Sequence, residues 1–102
     1  MSRKLLSLTT PGQLSEELGK RIRQLRLLRN WTRKTLASRA GVTPSSLKRF
    51  ETTGKASLSL ILGVAYALDR LEDFEPVFMS PKARSLAELE KTQAFTRRRG
   101  RK

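Results

Sequence analysis

Two hydroxyls and two cations, Ser45, Ser46, Lys48 and Arg49, stand on one short segment around the apolar pair Leu47 and Phe50. A set of this kind donates hydrogen bonds to an anion; it does not break bonds, because no base accompanies it. The 102-residue chain contains no His and no Cys. That removes the commonest general base, the usual triad member and the commonest metal ligand, along with disulfides, Cys-ligated zinc and a thiol nucleophile. Ser45 and Ser46 have no imidazole to activate them. The nine acids are scattered among basic residues, apart from Glu72, Asp73 and Glu75, which read as a solvated acidic turn rather than a divalent-cation site. The residues describe a binding protein and not an enzyme, with no catalytic residue, no metal site and no cofactor.

The charge balance says what is bound. Against 9 Asp and Glu stand 22 Lys and Arg, a formal net charge of +13, which calls for a polyanionic partner. Nucleic acid leads, ahead of an anionic membrane surface. The opening MSRKLLSLTTPGQ has two basic residues but far too short an apolar stretch for a signal-peptide core or for the roughly 20 residues of a membrane span. The expected compartment is the cytoplasm, with no membrane partner.

Five helices must position these side chains. Leu14, Leu18, Ile22, Leu25 and Leu28 draw one stripe along a first helix, with Lys20, Arg21, Arg23 and Arg26 on its opposite face. Ser15 or the Pro11–Gly12 pair starts it, and it ends near Asn30. Thr32 caps a short second helix with Leu36, Ala37 and Ala40 inward and Gly41 as its stop. Thr43 and Pro44 read as the N-cap and first position of a third helix, which buries Leu47 and Phe50 until Thr52, Thr53 and Gly54 break the pattern. Ser57 caps a fourth, with Leu58, Ile61, Leu62, Ala65 and Leu68 as inward candidates. Leu71, Phe74, Val77 and Phe78 allow one more short helix, interrupted by Pro76 and closed off by Pro81. Trp31 is expected to pack at the domain edge, and Phe74 and Phe78 in the core or at a dimer contact. The expected organisation is an N-terminal extension over 1–13, a DNA-binding domain over 14–79, and a C-terminal helix or basic tail over 80–102. Within that last part, 84–95 has a helical pattern, while the run Arg97, Arg98, Arg99, Gly100, Arg101 and Lys102 repels itself.

The segment TRKTLASRAGVTPSSLKRFE has the spacing of a helix-turn-helix. Ala37 is small where the two short helices cross, Gly41 permits a left-handed turn, and Val42 and Leu47 fill the wedge. Such a motif sets the N-terminal end of its second helix into the major groove while the first lies over the DNA backbone. Through LGKRIRQLRLLRNWTRKTLASRAGVTPSSLKRFETTGKASLSLILGVAYALD, residues 14–69 resemble the Cro and lambda-repressor type of five-helix domain, also called the XRE family. The resemblance implies an all-α, compact lambda-repressor-like DNA-binding domain. It places Pro44, Ser45 and Arg49 against bases, with Ser46 beside them and Lys48 able to reach phosphates. It also implies an ion pair between Arg26 and Glu51 that turns the guanidinium toward the DNA backbone. Two departures matter: many relatives carry Gln where Arg33 stands, and Pro44 offers no polar side chain.

Arg49 leads for direct readout, because a guanidinium pairs bidentately with guanine O6 and N7; a phosphate contact is its alternative. Thr32, Arg33, Thr43, Lys48 and, more weakly, Lys55 are read as phosphate anchors, which set register and salt dependence without reading sequence. A homodimer is expected, since one short helix reads few base pairs and paired half-sites supply the rest; the end of the fourth helix with Leu71 to Phe78 is its expected surface. More loosely, LKRFETTGKASLSLILGVAYALDRLEDFEPVF, the RSLAELE segment and the terminal RRRGRK resemble the helix-turn-helix partners of HipA-type kinase toxins. That resemblance implies an autoregulating repressor and antitoxin with the kinase as partner; the tail reads equally as a nonspecific DNA arm. The competing reading is a protein-interaction module that neutralises a partner and has only nonspecific nucleic-acid affinity.

Overall fold

Four α-helices of the described residues each begin on a hydroxyl. In the computed structural model, which describes residues 10–82, 86 and 88–90, these are α1 (Pro11–Leu28), α2 (Arg33–Ala40), α3 (Pro44–Thr53) and α4 (Leu58–Ala67). The oxygens of Thr10, Thr32, Thr43 and Ser57 each accept from the amide three residues on, satisfying a donor that the helix itself leaves free. Thr10 and Gln13 close a reciprocal capping box, and Pro11 takes the first helical position. The start of α1 is thus the Pro11–Gly12 pair and not Ser15.

The helices also end alike. Asn30, Gly41 and Asp69 adopt left-handed backbone at φ 59°, 73° and 60° after α1, α2 and α4. In each case the next amide reaches back to close the turn, as in Trp31 N–H to the Arg26 carbonyl at 3.2 Å and Val42 N–H to that of Ala37 at 3.0 Å. Gly54, at φ 82°, ends α3 with a single bond to the Phe50 carbonyl. Thr52 and Thr53 do not break α3 as their composition suggests. Their hydroxyls donate to the carbonyls of Lys48 and Arg49, a back-bond compatible with a helix.

The chain divides into two units, Met1–Leu71 and Glu72–Lys102. In the first, α1 packs on α3, and α2 packs on both α3 and α4. The core between them is Leu36, Ala37, Leu47, Phe50, Leu60, Val64 and Leu68, with Leu18, Ile22, Leu25, Trp31 and Val42 partly buried around it. The fold is all-α and lambda-repressor-like; its fifth helix is a single 3-10 turn, Leu71–Phe74.

Several expected faces are corrected. Leu28 lies 78% exposed and Leu58 66% exposed. On α4, Ala65 and Leu68 are buried as expected and Ile61 packs against the core, but Leu60 and Val64 take the place of Leu58 on the inward face, because a segment apolar on almost every side has no phase of its own until α2 packs against it. Arg26 is buried, not on the solvent face with Lys20, Arg21 and Arg23. The 3-10 turn that enters the second unit stops at Phe74, since Pro76 has no amide proton to continue it. Isolated turns follow, and Phe78 is wholly exposed at φ 67° rather than in the core. Pro81 opens a helical turn rather than closing one, and Leu86 and Leu89 are helical and exposed. Residues 1–9, the basic run from Arg97 and most of the 84–95 pattern lie outside the described residues. Among the described residues, no helix is long and apolar enough to cross a membrane.

The α1–α3 crossing is made by glycine. A Cβ at Gly19 would collide with the Phe50 carbonyl oxygen, and one at Gly54 would stand 2.5 Å from the Ser15 carbonyl carbon. Backbone therefore meets backbone at two points, and no side chain fits between. Gly12, on the same helix as Gly19, has open space around it. Gly19→Ala is expected to destabilise the fold by roughly 1–3 kcal/mol, as overpacked sites do, whereas Gly12→Ala is expected to be neutral or more stable by up to about 1 kcal/mol. Denaturant unfolding of both variants checks this; equal stability would mean that the helices do not cross this closely.

Candidate nucleic-acid interface

The two short helices α2 and α3 are held by the turn Gly41-Val42-Thr43. Left-handed Gly41 reverses the chain, Val42 packs on the core, and Thr43 caps α3. Ala37 and Leu47 are both fully buried where the helices meet. α3 is then divided along its length. Its later residues Phe50, Glu51 and Gly54 are buried against α1, while Pro44, Ser45, Ser46, Lys48 and Arg49 are exposed.

The hydroxyls of this end have internal work. Thr43 Oγ1 accepts from the Ser46 amide and donates to Ser46 Oγ at 2.8 Å, with Ser45 Oγ 3.4 Å away. Thr32 Oγ1 likewise accepts from the Thr35 amide and donates to Thr35 Oγ1. Both threonines cap with an oxygen lone pair and give their hydroxyl proton to a neighbouring side-chain oxygen. The side chains of Arg49 and Lys48 are exposed on α3, and the backbone carbonyls of these residues accept from the hydroxyls of Thr53 and Thr52. Lys55 is exposed just beyond Gly54.

The electrostatics follow from one carboxylate. Residues 32–55 carry Arg33, Lys34, Arg39, Lys48, Arg49 and Lys55 against a single acid, Glu51, and that acid is withdrawn from the surface. Its side chain is 0% exposed. Arg26 Nε donates to Oε2 at 2.8 Å, and Arg26 Nη2 to Oε1 at 2.9 Å. Arg33 Nε donates to the same Oε1 at 2.9 Å. The surface of the motif is left cationic, and neither α2 nor α3 has an acid in its first turn to offset the positive end of its helix dipole.

Arg26 and Glu51 are thus brought together, but Arg26 does not face outward. Its third nitrogen, Nη1, donates to the Trp31 carbonyl at 2.9 Å and its side chain is 7% exposed. The guanidinium with an open edge is that of Arg33, 31% exposed. The link from Arg33 to Glu51 has no local signal in the sequence, because the two are 18 residues apart and neither periodicity nor capping relates them. Trp31 does pack at the edge of the core, and two further cations lie over its ring, Arg29 at 5.0 Å and Arg39 at 4.5 Å from the centroid. Arg29 also donates to the Leu68 carbonyl, tying the end of α1 to the end of α4.

A family model described as a helix-turn-helix domain matches residues 17–72, more than half of the chain. No curated protein matches it.

Removing one partner of a buried charge pair leaves the other uncompensated, at a cost of about 3–5 kcal/mol. Glu51→Ala, which orphans Arg26, is expected to lose that much stability. Arg33→Ala, at a partly exposed position, is expected to lose roughly 1 kcal/mol or less. Guanidinium unfolding at constant pH separates the two; similar losses would mean that Glu51 is not held mainly by Arg26.

Proposed function

The chain belongs to the helix-turn-helix domain family, and on that premise we propose that it is a sequence-specific transcriptional repressor that binds double-stranded DNA as a homodimer on a palindromic operator. One observation carries the reading: α3 is clamped to α1 at its later residues and exposed at its start, with cationic and hydroxyl side chains on the exposed part. A helix offered by its N-terminal end fits the major groove, which admits one helix.

In this reading Pro44, Ser45, Ser46 and Arg49 face base edges. Arg49 is the discriminating residue, because it alone among them has a fork of donors for guanine O6 and N7. Lys48, Arg33 and Lys55 take phosphates. Thr32 and Thr43, whose hydroxyl protons are already used, serve the backbone through the helix ends they cap. Dimerisation doubles a short footprint into two half-sites, and the exposed Val77 and Phe78 of the second unit are available for it. The finer assignment, to the autoregulating antitoxin of a HipA-type kinase toxin, rests on the sequence resemblance alone.

The reading is tested by binding to the DNA upstream of the chain's own gene against scrambled duplex of equal length, from about 50 to 200 mM salt. Preference for the upstream DNA is expected to persist at the higher salt. Arg49→Ala is expected to reduce that preference roughly ten- to hundredfold while leaving the folded state intact. Equal affinity for both duplexes, collapsing together with salt, would instead favour a protein-interaction module with a nonspecific basic surface.

A further inference from the structure

The two arginines that share Glu51 are used differently. Arg26 is spent: Nε and Nη2 go to the carboxylate, Nη1 goes to the Trp31 carbonyl, and the side chain is buried. Arg33 gives Glu51 only its Nε. Among the described residues neither of its Nη nitrogens has a hydrogen-bond partner, and the group is partly exposed at the first position of α2. An arginine recruited only to neutralise a buried acid would be enclosed as Arg26 is. Two guanidiniums on one carboxylate also leave a net positive charge over, and of the two only Arg33 has an open edge to present to an outside anion.

We propose that Glu51 is a positioning residue for DNA binding: by holding Arg33 at Nε it fixes the guanidinium plane so that both Nη nitrogens face one phosphate of the duplex. The inference rests on the DNA-binding reading above and deepens it. The physical basis is preorganisation. A free arginine side chain must give up much rotamer freedom to make a two-donor contact, whereas one tethered at Nε has already lost it on folding. Only arginine suits the role, since a lysine that reached Glu51 would have no second, oppositely directed pair of donors for an anion. The charge left over makes the arrangement selective for anions.

A double-mutant cycle on duplex affinity at about 100 mM salt tests it, using wild type, Arg33→Ala, Glu51→Gln and the double variant, each first shown to be folded by circular dichroism. Gln keeps an acceptor oxygen for Arg26 and with it the seating of α3 on α1, so Glu51→Gln is expected to weaken duplex binding roughly three- to tenfold when Arg33 is present and to cause no further loss when Arg33 is Ala. Equal losses in both backgrounds would overturn the proposal, as would undiminished binding by Glu51→Gln. No duplex binding by the wild-type chain would remove the DNA-binding reading itself and the proposal with it, an outcome distinct from both. If Glu51→Gln does not fold, side-chain NMR of the wild type decides. The Arg33 Hε signal is expected to be slow-exchanging in the free protein, and its Nη protons to slow only when duplex is added; a fast-exchanging Hε, or Nη protons indifferent to duplex, would overturn it.

Discussion

A carboxylate with no exposed surface, Glu51, is shared by guanidiniums from two other helices, and the arrangement of the motif depends on that sharing. Glu51 lies on α3, Arg26 on α1 and Arg33 at the start of α2. One side chain therefore fixes three helices at once, with bonds that are directional where hydrophobic contacts are not. Removing charges from water is costly, and an apolar substitute of equal volume would stabilise a core at least as well. What an apolar substitute lacks is geometry. The ion triad specifies how α3 is rotated about its own axis, and hence which of its side chains are turned outward.

The glycine contacts and the triad act on the same part of α3. Gly19 admits the Phe50 carbonyl, Gly54 meets the backbone of Ser15, and Glu51 lies between these points. The later half of the helix is held by backbone contact and ion pairing together. The earlier half, capped by Thr43, carries no burden of packing except Leu47. This separates stability from recognition within a ten-residue helix. Substitutions at Ser45, Ser46 or Arg49 alter the outward surface without disturbing the contacts that orient it.

Much of this was legible in the sequence, and the reason lies in range. Caps act across three residues and turns across one or two, so Thr32, Gly41, Thr43 and Ser57 announce themselves. Leu47 and Phe50 are the only large apolar residues on α3, so its buried side follows. α4 is different: Leu58, Leu60, Ile61, Leu62 and Val64 offer several possible stripes, and only packing against α2 selects Leu60 and Val64 over Leu58. A charge ordinarily belongs in water, so periodicity puts Arg26 with the solvent-facing cations, whereas its burial depends on an acid 25 residues away. Gly19 left a fainter trace. A glycine inside an otherwise regular helix costs about 1 kcal/mol against alanine, and that cost signals a close neighbour without naming it. Arg33's hold on Glu51 left none.

Trp31 gives the molecule one further property. It is the chain's single tryptophan, seated where α1 gives way to α2. Its carbonyl takes a bond from Arg26, its ring lies beneath Arg29 and Arg39, and its indole packs on the core. The protein's tryptophan emission therefore originates at one place, beside the ion triad and next to Arg29 just past α1 and Arg39 of α2. Any shift in the angle between α1 and α2 changes the polarity and the charge around that one fluorophore. The fold thus carries an intrinsic optical gauge of the same geometry that turns α3 outward.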